Sequence, residues 1–293
     1  MKLKEFRSVG VTVTPFICGC TPDLELIEKQ TEILSESETD AILPCASTGD
    51  FVKMTPDDRF KVLETVSRVN CGRKVLVAGA CDASVPGVLS AVEKAKEYGY
   101  DAAIVCPPYY YGLSQEDVLT FYKDVAKGAG DMPIIAYHVP FFTTGIEIPT
   151  YRELLKIPQI TAIKDSSANL KRISHLADIA YRERPDFRVY TGTDDCLFPA
   201  LCAGCHGSMT ALAASLPGKI AAIYKAFDEK NIDLAMKCQR EILPVIRLAD
   251  SLTFPMGYKL LAKAAGLSTK EPMTDAEAGL FGEICAELKR IGL

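Results

Sequence analysis

At 293 residues, 48% hydrophobic and 24% charged, the chain carries enough apolar material for a full core, which excludes a disordered or fibrous protein. Its 33 basic against 38 acidic side chains give a formal charge of −5, and no window gathers Lys and Arg into a stripe able to neutralise a run of phosphates, so nucleic acid is excluded as an expected partner. The opening MKLKEFRSVGVTV has no apolar h-region, and no stretch of about eighteen apolar residues runs without a charge, so no membrane partner and an unexported, cytoplasmic protein are expected.

In chain order, eight short β-rich segments are predicted as buried parallel strands: 10–16, 41–47, 74–80, 102–108, 133–140, 160–166, 188–194 and 207–212. Segments with helical spacing lie between them. Thr55-Pro56-Asp57-Asp58 supplies a capping hydroxyl, a proline for the first helical position and acids for the first turn, ahead of the apolar ladder Phe60, Val62, Leu63 and Val66. Ser114 with Glu116 and Asp117 opens another helix in the same way. The strands recur at roughly 30-residue spacing, the length of a βα unit. No glycine-rich phosphate turn follows the first strand, which runs into Thr14-Pro15-Phe16, so a closed (β/α)8 TIM barrel is expected rather than an open doubly wound sheet. After residue 215 only helix-like segments remain, giving an expected catalytic barrel over 1–228 and a C-terminal helical extension over 229–293.

Eleven cysteines, odd in number and mostly inside apolar runs, read as reduced thiols rather than a disulfide framework. Cys202-Ala-Gly-Cys205-His206 matches the C-x-x-C-H spacing of haem attachment, but it falls where a helix ends, a glycine turns and a strand begins, and we read it as coincidence. Cys18, Cys20 and Cys196 do not complete a zinc spacing, so neither a metal nor a cofactor is expected.

In a barrel of this kind, reactive groups sit at the C-terminal ends of strands. Lys164 closes the run Ile160 to Ile163; a lysine on a buried strand loses solvation, which disfavours the charged form and prepares a Schiff-base nucleophile. The same lysine could instead pair with Asp165 or Asp194 at the barrel rim. Tyr137 ends the preceding strand, where a phenol can pass protons to a substrate oxygen. Ser47-Thr48-Gly49-Asp50 follows the second strand, and its hydroxyls and successive N–H groups suit a carboxylate. His138 should face away from Tyr137 by strand alternation, and His175 should lie on a solvated helix face.

Taken in order, these segments resemble the pyruvate-dependent class I aldolase family that includes dihydrodipicolinate synthase and N-acetylneuraminate lyase. The likeness rests on Val13 to Phe16, Ser47 to Asp50, Pro107 to Tyr110, Tyr137 to Pro140 and Ile163 to Ser166, which spread over nearly the whole chain. It implies that Lys164 condenses with the keto carbon of pyruvate and that Tyr137 moves the proton at the oxygen of the reacting bond. Ser47 and Tyr110 match a hydroxyl relay in which the second tyrosine comes from an adjacent subunit, within a homotetramer built from dimers. Thr48 and Gly49 match the cradle for the pyruvate carboxylate. Ser166, Gly192, Asp194, Asp195 and Ser208 are the remaining expected substrate contacts. Synthases resembling this chain carry an arginine shortly after Y-x-x-P, where Phe141-Phe142-Thr143-Thr144-Gly145 has no cation. The expectation is therefore a reversible pyruvate lyase acting on a 2-keto-3-deoxy sugar acid such as N-acetylneuraminate, with dihydrodipicolinate synthesis or keto-deoxy-acid dehydration as the alternatives.

Overall fold

A computed structural model describes residues 3–267 and 274–293. Its strands are β1 (Ser8–Val11), β2 (Phe16–Cys18), β3 (Thr21–Pro22), β4 (Ala41–Leu43), β5 (Val75–Gly79), β6 (Ala102–Val105), β7 (Ile134–His138), β8 (Ile160–Asp165), β9 (Arg188–Thr191) and β10 (Gly207–Thr210). The α-helices are α1 (Leu24–Glu36), α2 (Pro56–Asn70), α3 (Val85–Glu97), α4 (Gln115–Ala129), α5 (Ile148–Leu155), α6 (Leu170–Glu183), α7 (Leu197–Cys202), α8 (Ala211–Ser215), α9 (Pro217–Asp228), α10 (Ile232–Ala249), α11 (Met256–Ala264) and α12 (Asp275–Arg290). Eight strands close into a barrel in the order β1-β10-β9-β8-β7-β6-β5-β4, the (β/α)8 architecture expected.

Short apolar runs become strands here because both faces are covered. Every residue of β6 and β8 is buried, and even polar members such as Thr161 stay below the surface. The helix starts read from sequence form as written. Thr55 accepts the Asp58 N–H with Pro56 in the first turn, and Ser114 forms a reciprocal capping box with Asp117, an arrangement worth about 1 kcal/mol per helix. The strands end earlier than their β-rich composition predicted, because the residues beyond, although mostly buried, leave the ladder for loops or, after β10, for a helix. The β2–β3 hairpin was not foreseen.

Contacts group the chain into two compact units. One, Met1–Arg7 with Val75–Met209, contains β5 to β10; in it Tyr137 pairs in register with Lys164, and Lys164 with Tyr190. The other, Ser8–Lys74 with Thr210–Leu293, contains β1 paired parallel to β4, the β2–β3 hairpin, and α8 to α12, with α10 packed on α9, α11 and α12. Among the described residues no helix is long and apolar enough to cross a membrane.

Candidate active site

The register of β7 and β8 sets Tyr137 and Lys164 side by side, both buried. The Lys164 Nζ lies 4.4 Å from the centroid of the Tyr137 ring, and the Ser166 hydroxyl donates to the Tyr137 Oη at 3.4 Å. Gly192, whose N–H donates to the Asp165 carbonyl at 2.7 Å, completes the group from the loop after β9. A Cβ on Gly192 would stand 1.9 Å from the Ser166 Oγ and 2.8 Å from the Lys164 Cε, so only glycine lets this backbone pass the lysine.

Alternation on β8 turns Asp165 to the opposite face from Lys164. There its fully buried carboxylate accepts from the Arg172 Nε at 2.7 Å and from the Ser167 N–H at 2.9 Å. The rim ion pairs open to Lys164 on sequence alone, with Asp165 or Asp194, do not form. Among the described residues Lys164 makes no ion pair, although its side chain is buried.

Two neighbours brace this strand pair. Tyr122, on α4 and fully buried, donates its hydroxyl to the Val105 carbonyl at 2.8 Å and accepts the Tyr137 N–H at 3.3 Å, tying β6 to β7 just behind the phenol. His138 turns away from Tyr137, as alternation requires, and its Nδ1 accepts the Ile146 N–H at 2.9 Å, which fixes the far end of the loop after β7. The proton of the neutral ring therefore sits on Nε2, on the side of Asp165. Burial lowers the His138 pKa to about 4, against the opposing pull of Asp165, and burial together with Arg188 lowers that of His206 to about 4 as well.

Both shifts bear on acid stability. A folded-state pKa below the unfolded value of 6.5 means that the unfolded chain binds more protons between these limits, so stability is lost as pH falls from 6.5 towards about 4. His138 alone should contribute about 3 kcal/mol of this loss, with His206 adding in the same direction. Urea unfolding at pH 7 and pH 4.5 measures it, and His138→Gln should flatten the profile.

The remaining expected site residues divide by burial. Asp194, Ser166 and Ser208 are buried, Asp195 lies in the same unit half-buried, and Tyr110 is 88% exposed, at a φ of 87°, stacked edge-on against Tyr111. In the second unit, Ser47, Thr48 and Gly49 form a single 3-10 turn closed by the Asp50 N–H donating to the Ser47 carbonyl at 3.0 Å. A Cβ at Gly49 would meet the Thr12 carbonyl and the Thr14 hydroxyl, each at 3.2 Å, so the glycine allows this turn its close approach. Within the C-x-x-C-H run, Cys202 is exposed, burial pushes the Cys205 thiol up to about 12, and the His206 Nδ1 accepts the Val189 N–H at 3.1 Å. Among the described residues no three His, Cys, Asp or Glu side chains gather as a metal site.

The dihydrodipicolinate synthetase family matches residues 4–290. The chain belongs to this family. It is 30% identical to 4-hydroxy-tetrahydrodipicolinate synthases of Caldicellulosiruptor saccharolyticus, over 91% of this chain and 90% of that one, and of Chlorobium luteolum, over the full length of both. The crystal structure of dihydrodipicolinate synthase from Aquifex aeolicus superposes with a TM-score of 0.90 at 27% identity, covering 99% of each chain. As a member of the dihydrodipicolinate synthetase family, the protein is an enzyme of the class I aldolase type, a pyruvate-dependent lyase.

The lysine, the tyrosine and the turn stand out in the sequence as candidates, but the residues that contact them do not. Tyr122 reads as one more core aromatic on an amphipathic helix. Arg172 reads as a surface helix charge, although its spacing of seven from Asp165, across a strand end and a helix start, is a usable signal.

Proposed function

We propose that the enzyme binds pyruvate covalently on Lys164 and makes or breaks a carbon–carbon bond at the pyruvate methyl carbon. The neutral amine adds to the keto carbon, water leaves, and the resulting imine draws off electrons as a methyl proton departs, giving an enamine that attacks an aldehyde. Cleavage runs the same steps in reverse. Tyr137 carries the proton at the aldehyde oxygen, and Ser47 and Tyr110 pass it on; Thr48 and Gly49 hold the pyruvate carboxylate. The observation that carries this reading is a buried Lys164 without an ion pair, over the ring of a buried Tyr137, in a chain of this family. The exposed Tyr110–Tyr111 pair supports its role as a residue lent to an adjacent subunit of a homotetramer. In this reading residues 1–228 form the catalytic barrel and 229–293 a helical extension.

For the aldehyde, the names of the similar proteins favour condensation with aspartate semialdehyde over cleavage of a sugar acid. One observation favours the second reading: the loop after β7 presents Phe141 and Phe142, both exposed, where a second carboxylate would need a cation. Asp194, Asp195 and Ser208 would then face a hydroxylated tail. Purified enzyme given pyruvate with aspartate semialdehyde, and separately N-acetylneuraminate or a 2-keto-3-deoxy aldonate, distinguishes them. The first reading expects pyruvate consumption only with the semialdehyde, the second expects pyruvate release from the sugar acid, and dehydration would consume the sugar acid without releasing pyruvate.

A further inference from the structure

Behind the Ser47–Gly49 turn lies a buried ion pair that the chemistry above does not use. Asp50 follows the turn in the left-handed region, at φ 56°, a conformation that L side chains rarely adopt. Its carboxylate is 5% exposed and receives two ammonium groups through one oxygen: Lys259, from α11, at 3.0 Å, and Lys53 at 3.0 Å. The two lysines differ. Lys53 is half in solvent, where its attraction is screened, whereas the Lys259 side chain is 3% exposed and passes over the Phe16 ring with its Nζ 4.4 Å from the centroid. Lys259 thus joins the segment after β1, the turn after β4 and the C-terminal helices at a single point.

We infer that Lys259 is a positioning residue for pyruvate: by cancelling the Asp50 charge it keeps the adjoining Ser47–Gly49 turn able to accept a carboxylate. The inference rests on the reading of that turn as the pyruvate cradle. Without Lys259, a carboxylate arriving beside the buried Asp50, left with only the half-exposed Lys53, meets like-charge repulsion in a medium that screens it poorly, and the strained backbone at Asp50 loses one of the two side-chain contacts that hold it. The loss falls on binding, because Lys259 acts through Asp50 and touches no reacting atom.

The test is the pyruvate concentration that gives half-maximal covalent trapping by borohydride, alongside kcat and the melting temperature. Lys259→Met should raise that concentration about tenfold or more while leaving kcat at saturating pyruvate within about threefold. Removing both charges in Asp50→Asn with Lys259→Met should bring it back to within about threefold of wild type, because the repulsion has gone. Asp50→Asn alone should not weaken trapping. Should Lys259→Met fail to fold, the double variant and Asp50→Asn decide: half-saturation near wild type in both supports the inference. A tenfold rise in either, or a Lys259→Met protein that melts lower but traps at the wild-type concentration, overturns it and leaves a structural pair. Wild-type enzyme that traps no pyruvate overturns the underlying reading, and this one with it.

Discussion

Lys164→Ala is expected to abolish covalent capture of pyruvate: wild-type protein treated with pyruvate and borohydride gains the mass of a reduced adduct, and the variant gains none. Turnover should fall at least about 10⁴-fold, or roughly 5 kcal/mol of transition-state stabilisation, because the substitution removes the amine that lies over the Tyr137 ring. The protein should remain folded. Its barrel strand loses a side chain that makes no ion pair among the described residues, so the substitution leaves no carboxylate stranded in the interior. A variant that still acquires the adduct would move the chemistry to another lysine and refute the assignment.

Gly192→Ala is expected to cost less, about 100-fold in kcat/KM, while leaving every reactive group in the chain. The added methyl would lie 1.9 Å from the Ser166 Oγ and 2.8 Å from the Lys164 Cε. Ser166 can relieve its contact by rotating, but only by giving up its bond to the Tyr137 hydroxyl, and the Lys164 Cε can clear the methyl only by shifting the amine it carries. Overpacking of this kind costs about 1–3 kcal/mol of stability. A displacement of about 1 Å at a reacting amine lowers kcat/KM about 100-fold. Steady-state kinetics with a thermal melt check both effects, and Ser166→Ala introduced with Gly192→Ala should recover part of the stability without the rate. Unchanged kinetics would show that the loop after β9 yields freely and does not shape the site.

The barrel was legible because its strands are short, continuous apolar runs bounded by turn residues, and because Thr55 and Ser114 announce their helices within three residues. Those signals are local. Lys164 and Tyr137 were legible for a related reason: a polar side chain closing an apolar run stands out, and alternation fixes which face it takes. The ends of the strands were less so, since residues such as Val13 and Pro107 favour extended backbone whether or not a neighbouring strand pairs with them. The bracing residues could not be read at all from their own segments. Nothing around Tyr122 tells that its hydroxyl bonds two strands, and nothing around Lys259 tells that it meets Asp50 from the other end of the chain. Such contacts arise only once distant segments have been brought together, so a one-dimensional pattern does not contain them.

The distribution of the sulfur atoms has a practical outcome. Burial raises the Cys45 thiol to about 12, and a hydrogen bond to Cys81 together with burial holds Cys106 far above the usual thiol range, whereas Cys20, Cys71 and Cys202 are exposed. The thiolate is what attacks an alkylating reagent, so at neutral pH the buried sulfurs are inert and the exposed ones react. The enzyme therefore comes with its own attachment points: a fluorophore or spin label can be coupled to the outside of the native protein while the buried Lys164 and the buried thiols stay unmodified.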